Sequence, residues 1–292
     1  MYELVQTGVQ SYYINSPAKI GVYIQSANDV YLIDSGNDKE AAKKVLKIAQ
    51  QQNWHIKGIL NTHSNADHIG GNAYLQEKTG CLVFAGGIEA AMTQYPLLEP
   101  SFLFGGYPCK NLRNKFLMAK SSEVTDFSSS KFPSEIDIIQ LPGHFFDMVG
   151  FRLPDGTVFL ADCVSSPQTL EKYGVTFIYD VAKYLETLEM VERMEAKIFV
   201  PSHTQPCHDM KALVKINRDK VYEIEQIIIS ICSIPQTIDE IIHSVFIKLN
   251  LGMTIEQYVL VGSTIKSYLS WMNDRGILGY STDDYILKWY SL

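Results

Sequence analysis

The run Asn61-Thr62-His63-Ser64-Asn65-Ala66-Asp67-His68-Ile69-Gly70-Gly71 constrains this chain more than any other stretch. Two histidines, an aspartate and an asparagine follow an apolar, strand-like run, Lys57-Gly58-Ile59-Leu60, and precede a Gly-Gly pair suited to opening a helix. Imidazole and carboxylate are the commonest non-thiol donors to zinc and similar divalent ions, and a loop held at a strand end can aim several of them at one point. The alternative, a polar turn with its histidines in water, does not account for this density.

The flanking sequence supplies the strand. Residues 2–34 read as a β-meander, with strands at 12–14, 20–24 and 30–34 rich in β-branched and aromatic residues. Asp38 to Gln52 carries strong helix formers with apolar residues at Val45, Leu46, Ile48 and Ala49. A strand at 58–61 then delivers the loop, and a helix from about Gly70 to Lys78, a strand at 82–84 and a short helix at 89–94 follow. From about 95 to 130 the β/α alternation gives way to an aromatic, proline-bearing segment, the kind of long insertion that forms lids, binding loops or contacts. Phe102, Phe104 and Tyr107 there either line a pocket or plug the sheet edge. Strands return at 136–141, from 149 and at 158–161, then a helix at 180–195 and a strand at 198–200. Two β-rich layers with helices on their outer faces account for this order.

Three further strand ends carry candidate ligands: His144 after Ile138-Ile139-Gln140-Leu141, Asp162 after Val158-Phe159-Leu160, and His203 after Ile198-Phe199-Val200. With the loop after residue 60, they converge if the strands share one sheet edge.

In this order and approximate spacing the chain resembles the metallo-β-lactamase superfamily of metal-dependent hydrolases, whose motifs are His-x-His-x-Asp-His, a lone His, a bridging Asp and a last His. The match runs from about residue 5 to 210, with Asn65 as its one departure. The resemblance implies an α+β fold, a four-layer αβ/βα sandwich with the site at one edge of its sheets. It also implies a metal set of His63, Asn65, Asp67, His68, His144, Asp162 and His203. Site one would take His63, Asn65 and His144, site two Asp67, His68 and His203, with Asp162 bridging. An amide oxygen is uncharged and a poorer donor to zinc than imidazole, so site two should fill first and site one be weak or empty. Zinc is the expected ion, with iron and manganese as alternatives. The ion lowers the pKa of its water to about 7 and polarises the substrate; with two ions the hydroxide bridges them, and with one the catalytic carboxylate, Asp67 or Asp162, orients the water and takes its proton.

Asp34, in Leu-Ile-Asp-Ser-Gly, either supports the ligands from behind or caps a turn. Cys163 reads as a buried structural thiol, His208 as a helix cap or a support to the ligands, and His55 and His243 as ordinary surface or core residues. The five cysteines are scattered, without a Cys-x-x-Cys pair, which fits reduced thiols. No apolar run is long enough to span a bilayer, and the first residues lack a basic segment followed by an apolar one, so the expected location is cytoplasmic, away from membranes.

At 292 residues the chain has room for one large domain and a small one. We place the boundaries at 1–212, with an insertion at about 95–130, and 213–292. The second segment shows helical spacing from Leu213, a capping-box pattern at Thr237 and Glu240, helices at 237–249 and 254–275, and a hairpin at 277–287, a winged-helix-like order. From Tyr222 onward it holds four basic residues against eight acidic ones, and the whole chain carries −7, so nucleic acid is disfavoured as a partner. Packing, homodimer formation or covering of the substrate suits it better. The leading function is hydrolysis of a small ester, thioester or lactone, with a nuclease or phosphodiesterase and a non-catalytic metal-binding or regulatory protein with a degenerate site as alternatives.

Overall fold

A computed structural model describes residues 2–292. Its first strands, β1 (Glu3–Gln6), β2 (Ser11–Asn15), β3 (Ile20–Ile24) and β4 (Asp29–Ile33), form an antiparallel meander. Helix α1 (Lys39–Gln51) then crosses over to the parallel strand β5 (His55–Leu60). Asp38 starts α1 by accepting from the Glu40 and Ala41 amides at 2.9 and 3.0 Å, and Ala41, Ala42, Val45 and Ala49 form its buried face. After β5 come α2 (Ala66–Ile69), α3 (Asn72–Thr79), the parallel strand β6 (Leu82–Phe84), α4 (Gly87–Gln94) and α5 (Leu98–Phe104). The first sheet runs β1-β2-β3-β4-β5-β6.

The second sheet is built from β7 (Asp137–Gln140), β8 (Val149–Arg152) and β9 (Thr157–Ala161). Helices α6 (Pro167–Tyr173) and α7 (Val181–Arg193) then lead to β10 (Ile198–Pro201), and the sheet order is β10-β9-β8-β7. The two sheets face each other through Tyr13, Tyr31, Leu60 and Phe84 on one side and Phe151 and Phe159 on the other. They approach closely where Gly21 lacks a side chain: a Cβ there would lie 2.6 Å from the Phe159 ring. Outside the first sheet, Val45 and Leu75 of α1 and α3 cover Val22, Leu32 and Ile59. Outside the second, Tyr184, Leu188 and Val191 of α7 cover Val158, Leu160 and Phe199. The layers are therefore helix, sheet, sheet, helix, the αβ/βα sandwich expected from the sequence.

The remaining elements are α8 (Lys211–Ile231), α9 (Ile238–Lys248), α10 (Ile255–Asp274) and the ribbon of β11 (Leu278–Ser281) with β12 (Lys288–Ser291). Thr237 and Glu240 form the expected capping box on α9. Val221, Ile224 and Ile228 of α8, with Ile265 and Leu269 of α10, belong to the same buried cluster as Leu141 and Phe199, so one apolar core runs from the second sheet into the C-terminal helices. No helix among the described residues is long and apolar enough to cross a membrane.

Local differences from the sequence reading have physical causes. The expected helix at 70–78 is α3, which starts two residues later at Asn72, and the short α2 precedes it, with Gly70-Gly71 between them and the Gly71 amide donating to the Gly36 carbonyl. Helix α6 was not expected; Ser166 caps it and Pro167 sits at its first turn. The hairpin's second strand begins at Lys288, because Trp289 pairs with both Tyr280 and Gln236, whereas Tyr285, Ile286 and Leu287 are exposed. The 95–130 segment is packed: Leu103, Leu112 and Leu117 bury against Val259 of α10.

Candidate metal centre

Every residue of the expected ligand set stands at a strand end, on the loop after β5 or on the short helix that follows it, along one edge of the sandwich. His63 and Asn65 occupy that loop, and Asp67 and His68 sit on α2. His144 follows β7, Asp162 follows β9, and His203 follows β10. Gly143 sets His144 in place: its φ is +119°, and a Cβ there would meet the Tyr184 amide nitrogen at 2.2 Å. Ala161, at φ +50°, turns the chain so that Asp162 leaves the strand toward the site.

Each histidine is anchored through Nδ1. His68 Nδ1 lies 2.8 Å from Asp34 Oδ2, His144 Nδ1 2.9 Å from the Phe177 carbonyl, and His203 Nδ1 3.0 Å from the Pro17 carbonyl. Carbonyl and carboxylate oxygens only accept, so these Nδ1 atoms carry the proton. His63 Nδ1 is 3.0 Å from Thr62 Oγ1, whose own proton goes to Asp34 Oδ2 at 2.8 Å, so this Nδ1 also donates. All four Nε2 atoms are thereby the ones left to present a lone pair toward the site.

Those Nε2 atoms converge with two carboxylates. Asp162 Oδ1 lies 3.2 Å from His68 Nε2, and Asp162 Oδ2 lies 3.1 Å from His203 Nε2 and 3.8 Å from His144 Nε2. Asp67 Oδ2 is 3.2 Å from His203 Nε2 and 3.7 Å from His68 Nε2. Donor atoms of Asp67, His68, Asp162 and His203 lie within 4.8 Å of one another, as do those of His63, His144 and Asp162. Yet His63 Nε2, His68 Nε2 and Asp162 Oδ1 are buried without a hydrogen-bond partner. Buried polar atoms are almost always paired, so orphaned donors aimed at a common point fit a divalent cation.

The electrostatics agree. Burial would raise the Asp162 carboxyl, but His203 and His68 hold it well below the usual range. Burial likewise opposes ionisation of Asp67, and His68 and His203 outweigh it. Burial disfavours charge on His203, yet Asp162 and Asp67 push it up to about 10. His63 and His144, with weaker carboxylate support, are held low by burial. The carboxylates thus retain protons on His68 and His203 that a divalent cation would displace.

Asp34 resolves as the support behind the ligands. It is buried at φ +63°, and accepts from the Thr62 amide at 2.8 Å as well as from Thr62 Oγ1 and His68 Nδ1. Cys163 is buried, and burial pushes its thiol up. His208 is neither cap nor support: α8 begins at Lys211, and the His208 Nδ1 is bound to the Lys197 carbonyl. His55 and His243 are exposed.

Two acidic residues at the site escaped the sequence reading. Glu89 of α4 accepts from the Ser64 amide and hydroxyl at 2.9 and 2.7 Å and from the Asp147 amide at 3.0 Å. Glu99 of α5 accepts from Asn65 Nδ2 at 2.8 Å, and the Asn65 oxygen lies 3.2 Å from His144 Nε2. Burial raises Glu89 to about 7 and Glu99 well above the carboxylate range. A lone carboxylate on a short helix has no spacing signal, although Glu99 between Leu97-Leu98 and Pro100-Ser101-Phe102-Leu103 stands in an apolar stretch.

A cleft of about 700 Å³ opens onto Asp67, His144, Asp162 and His203. The insertion contributes Glu99, Lys115, Phe116 and Leu117 to it, whereas Phe104 and Tyr107 are exposed elsewhere and Phe102 packs on Phe146 and Tyr179. Lys172, Phe177 and Leu260 line the facing wall.

Comparison with known proteins agrees with this geometry. The sequence profile described as the Metallo-beta-lactamase superfamily matches residues 21–203. A hydroxyacylglutathione hydrolase of Pelagibacter ubique is 50% identical over 46 residues, 16% of this chain and 19% of that protein. The beta-lactamase-like protein 2 homolog of Drosophila melanogaster is 26% identical over 180 residues, 59% of this chain and 53% of that protein. The chain therefore spans about half or less of the length of these curated relatives. A beta-lactamase domain protein from Burkholderia ambifaria superimposes with a TM-score of 0.74 at 15% identity, over 99% of this chain and 94% of that one, which establishes a shared fold.

Proposed function

This chain belongs to the metallo-beta-lactamase superfamily, and we propose that it is a metal-dependent hydrolase of a small ester, thioester or lactone, with a thioester as the leading substrate. The observation that carries the reading is the set of imidazoles anchored through Nδ1 whose Nε2 atoms meet Asp67 and Asp162 at the foot of an open cleft. His63, Asn65, His144 and Asp162 would hold one ion, and Asp67, His68, Asp162 and His203 another, zinc being favoured over iron or manganese by the imidazole content. A bound divalent ion supplies Lewis-acid polarisation of the acyl carbonyl and a water acidified enough to attack near neutral pH.

The chain's own residues do the rest. Asp67, whose side chain is 42% accessible and lines the cleft, orients the attacking water and takes its proton on Oδ1, the oxygen not directed at His68 and His203. As the water oxygen adds to the acyl carbon, the carbon–sulfur bond breaks and the thiolate leaves. Leu117 and Phe177 give the acyl group an apolar wall, while Lys172 presents positive charge there and Lys115 is held against Asp38. The hydroxyacylglutathione hydrolase similarity supports the thioester choice. The C-terminal segment, 213–292, reads as a winged-helix-like appendage that packs on α7 and contributes Gln257 and Leu260 of α10 to the cleft.

The test is turnover of esters, thioesters and lactones against structured RNA, each with zinc, manganese or iron. Thioester turnover that falls at least ~100-fold in Asp67→Ala is the expected result. RNA cleavage would move the assignment to the nuclease reading. Metal uptake without any turnover would favour a regulatory one.

A further inference from the structure

Asn65 departs from the family's histidine, and its surroundings assign it a use. The side chain sits between two groups, with Nδ2 donating to Glu99 Oε1 at 2.8 Å and Oδ1 at 3.2 Å from His144 Nε2. His144 donates its Nδ1 proton to the Phe177 carbonyl, so a neutral His144 presents a lone pair on Nε2. Two acceptor atoms then face each other at 3.2 Å, an arrangement that repels unless a cation lies between them and the rest of the site. Only Glu99 decides which end of the amide faces inward, because a carboxylate takes the NH2 end and leaves the oxygen for the site.

Glu99 is 5% exposed, and no lysine or arginine pairs with it among the described residues. Burial raises its carboxyl well above the usual range, and in either protonation state the oxygen that meets Asn65 Nδ2 is an acceptor. Glu99 arrives on α5, within the insertion, and α5 is pinned by Leu103 against the core of α10. The insertion thus contributes to the metal centre itself as well as to the cleft.

We propose that Glu99 is a positioning residue that locks the Asn65 amide with its oxygen turned inward, making position 65 a carboxamide-oxygen ligand to the ion held by His63 and His144. This rests on the metal-centre reading above. Loss of an outer partner of this kind weakens metal binding by about 10- to 100-fold. In Glu99→Gln the new amide can donate to the Asn65 oxygen, allowing Asn65 to turn its NH2, which cannot bind a metal, toward the site.

The experiment is a zinc titration of the metal-depleted full chain against a chromophoric chelator, which resolves a tighter and a weaker ion. Expected in Glu99→Gln is a weaker constant worsened about 10- to 100-fold with the tighter one unchanged. Asn65→Ala should do the same, and the double variant should be no worse than Asn65→Ala alone. Unchanged constants in Glu99→Gln overturn the proposal, as do additive losses in the double variant, which would mark Glu99 as acting independently of Asn65. Melting of the metal-free proteins checks the fold. If Glu99→Gln does not fold, Glu99→Leu, which removes both acceptor oxygens at similar size, carries the same expectations. Wild-type protein that takes up no zinc would instead refute the metal-centre reading, and the proposal with it.

Discussion

Asp34 shows how one carboxylate sets two ligands. Its Oδ2 binds both Thr62 Oγ1 and His68 Nδ1, so it fixes the tautomer of His68 directly and of His63 through the threonine. Asp34→Asn keeps a residue type that tolerates φ +63° but replaces one acceptor with a donor. Zinc affinity should fall about 10- to 100-fold while the metal-free fold survives, as read by chelator competition and thermal melting. Glu89 offers a different test. Its carboxyl is raised from 4.5 to about 7 by burial, so between those values the native chain binds a proton that the unfolded chain has lost. Its contribution to stability is full below about 4.5 and falls as pH rises through 7, by about 3 kcal/mol in all. Denaturant unfolding of the metal-free proteins should show the gap between wild type and Glu89→Gln narrowing by about that amount as the medium moves from acid to alkaline; parallel profiles would contradict it. At this scale the histidines and aspartates were legible because their spacing is local, or tied to the ends of apolar runs. Glu89 and Glu99 were not, because their roles come from tertiary contact with Ser64 and Asn65.

Among the elements, strands with β-branched and aromatic runs and helices with a clear apolar face were readable in sequence. The exceptions were decided by long-range contacts. The second strand of the C-terminal ribbon begins where Trp289 meets Gln236, and the insertion takes its shape from α10. Two variants test how elements deliver the site. Gly143→Ala would drive a Cβ into the backbone of α7 at φ +119°, so the loop after β7 must shift and carry His144 with it. It should weaken the second equivalent of zinc more than the first, and equal weakening of both would speak against separate placement of His144. Thr237→Ala removes the capping box of α9, far from the site; a loss of about 1 kcal/mol in unfolding with unchanged zinc binding is expected.

At the scale of the molecule, the 212/213 boundary that we propose divides roles more than cores. Ile224, Ile265 and Leu269 share a buried cluster with Leu141 and Phe199 of the sandwich. A chain ending at 212 would expose that face, and large apolar patches favour aggregation. The shortened chain should therefore lose cooperative unfolding, and a sharp native-like transition would show that the sandwich stands alone. The central claim is that anchored imidazoles and two aspartates make this fold a metal-dependent hydrolase. Its most direct test follows turnover of the best substrate from the ester, thioester and lactone panel by metal-depleted protein as zinc is added back. The account predicts no hydrolysis without metal, and a rate that rises in step with bound zinc and stays at background in Asp162→Ala. Hydrolysis that is undiminished in the metal-depleted protein, or unaffected by Asp162→Ala, would contradict it.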